Sequence, residues 1–297
     1  MSDVRLLVGV VGAGTMGAGI AHVAAAAGHS VVLYDVSEGP LESGLGRMDA
    51  LMHRAVARAQ LESSEALATR ARVTGTIQLE RLARCGLVIE AAPESLGLKR
   101  RLFADLEAIV RPDALLATNT STLSLAAVFG ALRRPERGLG MHFFNPAPLM
   151  RLVEIVRGPT TSPEVIDRAV ALARAWGKEP VTVAGTPGFL VNRVAIAYYG
   201  EAVRLLAEGV ADVRAVDRLA RDAGFPMGPF ELADLVGTDV SLAAARSVFE
   251  GYFGEPRFRP HPIQQAVVDS GRLGRRAGRG YYDYDARPDD ATRVEHC

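Results

Sequence analysis

Residues 6–17, Leu-Leu-Val-Gly-Val-Val-Gly-Ala-Gly-Thr-Met-Gly, constrain the fold more than any other stretch. An apolar, β-branched run ends directly in Gly12-x-Gly14-x-x-Gly17. A helix of small residues is expected next, running from Thr15 and Met16 through Ala18 to Ala27, with Gly28 as its stop. In such a strand–turn–helix unit Gly12 permits the tight turn and Gly14 lets the backbone approach a pyrophosphate. Gly17 allows the helix to pack closely on the strand. The free N–H groups and positive dipole end of the helix then face the phosphates. A second apolar run, residues 30–34, ends at Asp35, eighteen residues past the third glycine. A carboxylate there accepts hydrogen bonds from a ribose 2′-hydroxyl and repels a 2′-phosphate. The pattern predicts a dinucleotide site that takes NAD in preference to NADP.

The rest of the chain sets the frame for that site. Its 297 residues suit two domains. Lys+Arg equals Asp+Glu at 34 each, so nothing points to nucleic acid as a partner. The start, Met-Ser-Asp-Val-Arg, runs straight into the first strand, and no apolar run reaches membrane-spanning length. Cys85 and Cys297 are too few for a disulfide framework, and no metal-ligand spacing appears, so the expectation is a cytoplasmic protein without a metal. Among the basic residues only Lys99 and Lys178 are lysines. In so arginine-rich a chain each is informative, because an ammonium is a compact donor that a guanidinium cannot replace at a tight site.

Further apolar runs at 86–91, 114–118, 138–144, 152–156 and 180–184 read as strands, several of them apolar on consecutive residues as expected for burial on both faces. Helices are expected over 96–110 and 163–176, the latter opened by Ser162-Pro163-Glu164. The stretch from Glu38 to Thr74 reads as helical, with Arg47, Arg54 and Arg58 either on a solvated face or meeting phosphates. Gly185-Thr186-Pro187-Gly188 marks a boundary, giving a first domain over 1–185 and a second over 186–297. Beyond it helices are expected at 189–207, 212–223, 239–250 and 262–270. The fold class is α/β: a doubly wound Rossmann-type sheet followed by a smaller all-helical domain.

Open parallel sheets bind ligands at the carboxyl ends of their strands, and polar residues gather there. Glu90 and Glu94 follow one run, Asn119-Thr120-Ser121 the next, and His142 ends a third. Across the stiff Asn145-Pro-Ala-Pro148 turn, Glu154 lies inside the following run, and a carboxylate that orients an imidazole is a recurrent way to make a general base. Taken singly, each of these residues also fits a core position, a turn or a cap. Asn192, near the start of the second domain's first helix, fits either a helix face or the same cleft.

These motifs resemble the 3-hydroxyacyl-CoA dehydrogenase family, in its short 3-hydroxybutyryl-CoA form, over nearly the whole chain. The resemblance rests on Gly12-Ala-Gly-Thr-Met-Gly17, Val88-Ile-Glu-Ala-Ala-Pro-Glu94, Asn119-Thr-Ser121, His142-Phe-Phe-Asn-Pro146 and Thr186-Pro-Gly-Phe-Leu-Val-Asn-Arg193. It extends through Gly228-Pro-Phe-Glu-Leu-Ala-Asp-Leu-Val-Gly-Thr-Asp239 and Gly274-Arg-Arg-Ala-Gly-Arg-Gly-Tyr-Tyr-Asp-Tyr284. It implies reversible NAD-dependent oxidation of an L-(3S)-3-hydroxyacyl-CoA thioester, a step of fatty-acid β-oxidation chemistry. In that reaction His142 is the base, Glu154 its partner, and Ser121 and Asn192 hold the substrate oxygen. It further implies that Glu94, Lys99 and Asn119 lie on the cofactor side and that the helical domain pairs in a homodimer. The Glu38–Thr74 stretch matches only in helical character, so residues for the CoA phosphates stay unassigned. Two alternatives remain open at this point: a dehydrogenase of a CoA-free β-hydroxy acid such as a sugar acid or carnitine, and a non-catalytic NAD(H)-binding protein.

Overall fold

A computed structural model describes residues 6–284; the N-terminal Met-Ser-Asp-Val-Arg and Cys297 lie outside the described residues. Two compact units divide the chain, the first ending at Phe189 and the second beginning at Leu190.

The first unit alternates strand and helix. Its order is β1 (Leu7–Val11), α1 (Thr15–Ala26), β2 (Ser30–Tyr34), α2 (Glu38–Ala57), α3 (Ser63–Ala71), β3 (Val73–Thr76) and β4 (Leu87–Glu90). Then come α4 (Leu96–Ile109), β5 (Leu115–Thr118), α5 (Leu125–Phe129), β6 (Gly138–Phe143), β7 (Leu152–Arg157), α6 (Pro163–Ala175) and β8 (Glu179–Ala184). One eight-stranded sheet results, in the order β3-β2-β1-β4-β5-β6-β7-β8. All neighbours are parallel except β6 and β7. That one antiparallel pair is joined by the Asn145–Pro148 turn, where the chain reverses instead of crossing over.

Burial on both sheet faces explains the continuous apolar runs of β4, β5 and β6, whereas the run at 180–184 forms the edge strand β8, none of whose residues is buried. Val10, Ile20, Leu33, Ile89, Met141 and Ile155 join the core beneath α1 and α6. Val11, Val88, Phe103, Leu116 and Phe129 join a second core beneath α4 and α5. The expectation of helix from Glu38 to Thr74 needs correction. The helix ends at Ala57, α3 follows, and Val73 opens an edge strand paired with β2. A Cβ on Gly75 would meet Leu41 and Leu45 at 3.2 Å, so the glycine lets α2 close over that strand.

The second unit contains α7 (Val191–Ala207), α8 (Val213–Asp222), α9 (Pro229–Val236), α10 (Thr238–Gly251) and α11 (Pro262–Asp269). Two buried carboxylates tie it together. Asp217 accepts from the N–H groups of Phe230 and Glu231 at the start of α9 and from the Tyr282 hydroxyl. Asp234 accepts from the N–H groups of Tyr281 and Tyr282 and from the Tyr284 hydroxyl. A Cβ on Gly280 would lie 2.0 Å from Asp234 Oδ1, so only glycine fits there. Burial holds the Asp217 carboxyl above its ordinary range despite these donors. No helix among the described residues is long and apolar enough to cross a membrane.

Candidate active site

The carboxyl ends of β1, β4, β5 and β6 lie side by side in the sheet, and the polar residues singled out in the sequence follow them. At the end of β1, Gly12 adopts φ +96°, and a Cβ there would meet the Ala91 carbonyl at 2.7 Å. A Cβ on Gly17 would sit 1.7 Å from the Gly12 carbonyl oxygen, so α1 can approach β1 only without a side chain at that position. Gly14 has nothing within 4 Å of its Cβ position, which leaves its backbone open to a ligand. Thr15 and Met16 form the first turn of α1, with Gly14 as the cap. Asp35 Oδ2 accepts from the Ala13 N–H at 2.7 Å and Oδ1 from the Val36 N–H at 2.8 Å. The carboxylate therefore anchors the glycine loop to the end of β2. An open loop backbone, a helix N-terminus and a carboxylate together fit a dinucleotide.

At the end of β4 a buried charged network appears. Lys99, 1 % exposed, directs its ammonium at Glu90 Oε1 (2.6 Å), the Ala92 carbonyl (3.1 Å) and Glu94 Oε2 (3.3 Å). Glu90 is fully buried, and accepts as well from the Ala92 N–H at 2.7 Å and the Thr118 hydroxyl at 2.6 Å. An ammonium has three donors, and these three acceptors occupy them. Lys99 thus stands as the support of Glu94 and its strand end. The Thr120 and Thr122 hydroxyls both donate to Glu94 Oε1. Those two threonines flank Ser121, so the loop carrying Ser121 is pinned on both sides to the acid at the neighbouring strand end. Asn119 Oδ1 accepts from the Phe143 N–H at 2.8 Å, which ties the end of β5 to the residue after His142.

His142 and Glu154 are directly opposite in the β6–β7 register, so both side chains project from the same face. Nδ1 lies 2.6 Å from Glu154 Oε2; the imidazole is 7 % exposed and the carboxylate fully buried. The contact makes Nδ1 the donor and leaves Nε2 as the nitrogen for a second partner. The Phe144 and Phe189 rings pack against the imidazole at centroid distances of 4.5 and 5.8 Å. The turn between the two strands has its own clamp. Lys178, buried, donates to the carbonyls of Ala147, Pro148 and Met150 at 2.7, 3.4 and 2.9 Å. Burial lowers the Lys178 ammonium from its ordinary value, and burial together with Lys178 lowers His22 on α1.

Asn192 belongs to the second unit, in the first turn of α7, beside Arg193, whose guanidinium lies over the Tyr252 ring at 5.4 Å. Thr118 and Thr122 were not singled out from the sequence, and Thr120 only as the middle of the Asn119-Thr120-Ser121 run. Short hydroxyl residues at a strand end give no signal until the partner strand is known. Among the described residues no group of three His, Cys, Asp or Glu side chains is placed to hold a metal ion.

Comparison with known proteins agrees with this architecture. The profile of the 3-hydroxyacyl-CoA dehydrogenase NAD binding domain matches residues 7–186, and that of the family's C-terminal domain matches residues 188–284. A protein named 3-hydroxyadipyl-CoA dehydrogenase from Escherichia coli (strain K12) is 46% identical over 97% of the chain, which spans 61% of that longer relative. A 3-hydroxybutyryl-CoA dehydrogenase from Bradyrhizobium diazoefficiens is 40% identical over 99% of the chain and 100% of the relative. The solved structure of (S)-3-hydroxybutyryl-CoA dehydrogenase from Ralstonia eutropha superposes with a TM-score of 0.90 at 36% identity, covering 95% of this chain and 100% of that one. With an NAD-type glycine loop, its carboxylate and the matching helical unit all in register, the chain belongs to the 3-hydroxyacyl-CoA dehydrogenase family.

Proposed function

We propose that this protein catalyses the reversible NAD-dependent oxidation of a short L-(3S)-3-hydroxyacyl-CoA to the 3-oxoacyl-CoA. The observation that carries the reading is the His142–Glu154 pair, opposed at 2.6 Å on adjacent strands beside the nucleotide-binding edge of the sheet. The bound nicotinamide supplies the hydride acceptor. His142 Nε2 takes the proton of the C3 hydroxyl, while Nδ1 stays on Glu154, whose charge stabilises the imidazolium. Ser121 donates a hydrogen bond to the same oxygen as alcohol and as carbonyl, and Asn192 supplies a second polar contact to it. Gly12, Gly14, Thr15, Met16 and Gly17 receive the diphosphate, and Asp35 the ribose. Glu94 and Asn119 face the nicotinamide side, with Lys99 holding Glu94 in place.

The first domain carries the cofactor. The second carries Asn192 and the face through which two chains pair as a homodimer. Exposed Leu235, Val236 and Val240 on consecutive helices of that unit support the pairing. We place the enzyme in the cytoplasm, and its balanced charge favours no nucleic-acid partner.

The relatives named for butyryl and adipyl thioesters differ in acyl group, so the test compares both chain types. Reduction of acetoacetyl-CoA or 3-oxoadipyl-CoA by NADH, with free acetoacetate left unreduced, is the expected result. Turnover of the free acid and of neither thioester would replace this reading with a CoA-free β-hydroxy acid dehydrogenase.

A further inference from the structure

Arg47 stands in the middle of α2, outside every short motif that carries the sequence resemblance, yet its side chain reaches the glycine loop. Nη2 donates to the Ala13 carbonyl at 2.7 Å and Nη1 to Ser43 Oγ at 2.7 Å. Gly44, three residues earlier, presses on the same loop residue: a Cβ there would lie 2.4 Å from the Ala13 carbonyl oxygen. Helix α2 is thus packed against the loop without an intervening side chain, and this close approach delivers a guanidinium beside it. Ala13 is held from both sides, its N–H by Asp35 and its carbonyl by Arg47.

The charge around that guanidinium is unbalanced. Its two partners are a neutral hydroxyl and a neutral carbonyl, and its Nε is buried without a partner. Among the described residues no carboxylate lies within ion-pair distance of it, whereas Arg70, Arg111, Arg134, Arg221 and Arg272 each meet one. The glycine loop itself contributes backbone N–H groups and no cation. Resting on the proposed cofactor site, we infer that Arg47 is a cofactor-binding residue whose guanidinium supplies the counter-charge for the dinucleotide diphosphate. A half-buried cation attracts a phosphate more strongly than an exposed one, because solvent screens it less. Its planar donors also suit phosphate oxygens.

The test compares dissociation constants of NADH, and of adenosine as an uncharged probe, for the wild-type chain, Arg47→Met and Arg47→Lys at low and high salt. Loss of one charge-assisted contact predicts roughly ten- to hundredfold weaker NADH binding by Arg47→Met. Adenosine binding should stay within about twofold of wild type, since it carries no phosphate. Arg47→Lys should recover part of the loss, and the salt dependence of NADH binding should flatten in Arg47→Met. NADH binding by Arg47→Met that equals wild type would overturn the inference. Equal weakening of NADH and adenosine would also overturn it, because that pattern belongs to a residue that only shapes the loop. Wild-type protein that bound no NADH would instead overturn the proposed function, and this inference with it.

Discussion

His142 is accommodated by packing and by one strong polar contact, and the two can be separated. The phenyl rings of Phe144 and Phe189 fix where the imidazole lies, while Glu154 fixes which nitrogen donates. His142→Gln should therefore leave NADH affinity nearly unchanged and lower kcat by about a hundred- to ten-thousandfold, the usual worth of general-base catalysis. Glu154→Gln keeps shape and hydrogen bonding but removes the charge beside the imidazolium, so kcat should fall strongly and KM little. Steady-state rates with acetoacetyl-CoA, alongside NADH titration, check both. Variants that bind NADH normally and turn over at near-wild-type rates would remove the pair from the mechanism. Joint loss of folding and cofactor binding would mark a core residue. The pair was legible in the sequence because both members lie within one stiff reversal. The support of Glu94 was not, since Thr120 and Thr122 meet it across 26 and 28 residues and those contacts exist only once β4 and β5 are neighbours.

At the scale of elements, the β6–turn–β7 unit shows what a sequence hides. Its prolines announce the reversal, but the clamp that holds it comes from Lys178, 31 residues beyond Ala147. The edge strand β3 was equally obscure: of Val73-Thr-Gly-Thr76 only Val73 is buried, so no apolar run betrayed it. The short helices α5 and α9 are five and eight residues long, too brief for a helical period to emerge. By contrast the buried strands, the glycine loop and α4 carry their signal within a few consecutive residues. The clamp also brings a cation close to His22 on α1, and burial and that cation both disfavour the charged imidazole. A histidine lowered in the folded state contributes stability that is present above its unfolded value near 6.5, and loses it as pH falls through the folded value. The melting temperature of the wild-type chain should therefore drop between pH 7 and pH 5 more steeply than that of His22→Gln. Parallel melting curves for the two proteins across that range would assign His22 no such part.

For the whole molecule, the division at Phe189 and Leu190 falls a few residues beyond the turn formers that suggested it, because the Phe189 ring still packs in the first unit's core. The helical unit is small, with cores as modest as Ile196, Ala245, Val248 and Phe258, and it leaves several large apolar side chains exposed. Light scattering at micromolar concentration should accordingly give twice the chain mass, and substitution of Val240 by Asp should shift that value downward. A monomeric wild type would reject the dimer.

The burial of Lys99 and Lys178 in this protein has a chemical corollary for the proposed thioester substrate. A thioester acylates an amine only where the nitrogen lone pair can reach its carbonyl carbon, and guanidinium groups are too weakly nucleophilic to substitute. These two side chains are the only ε-amines in the sequence. One is 1 % exposed and the other 8 %, and both direct their ammonium hydrogens at oxygen acceptors. Its folded surface therefore presents arginine wherever it presents a long cationic side chain, and offers an acyl donor no ε-amine to modify.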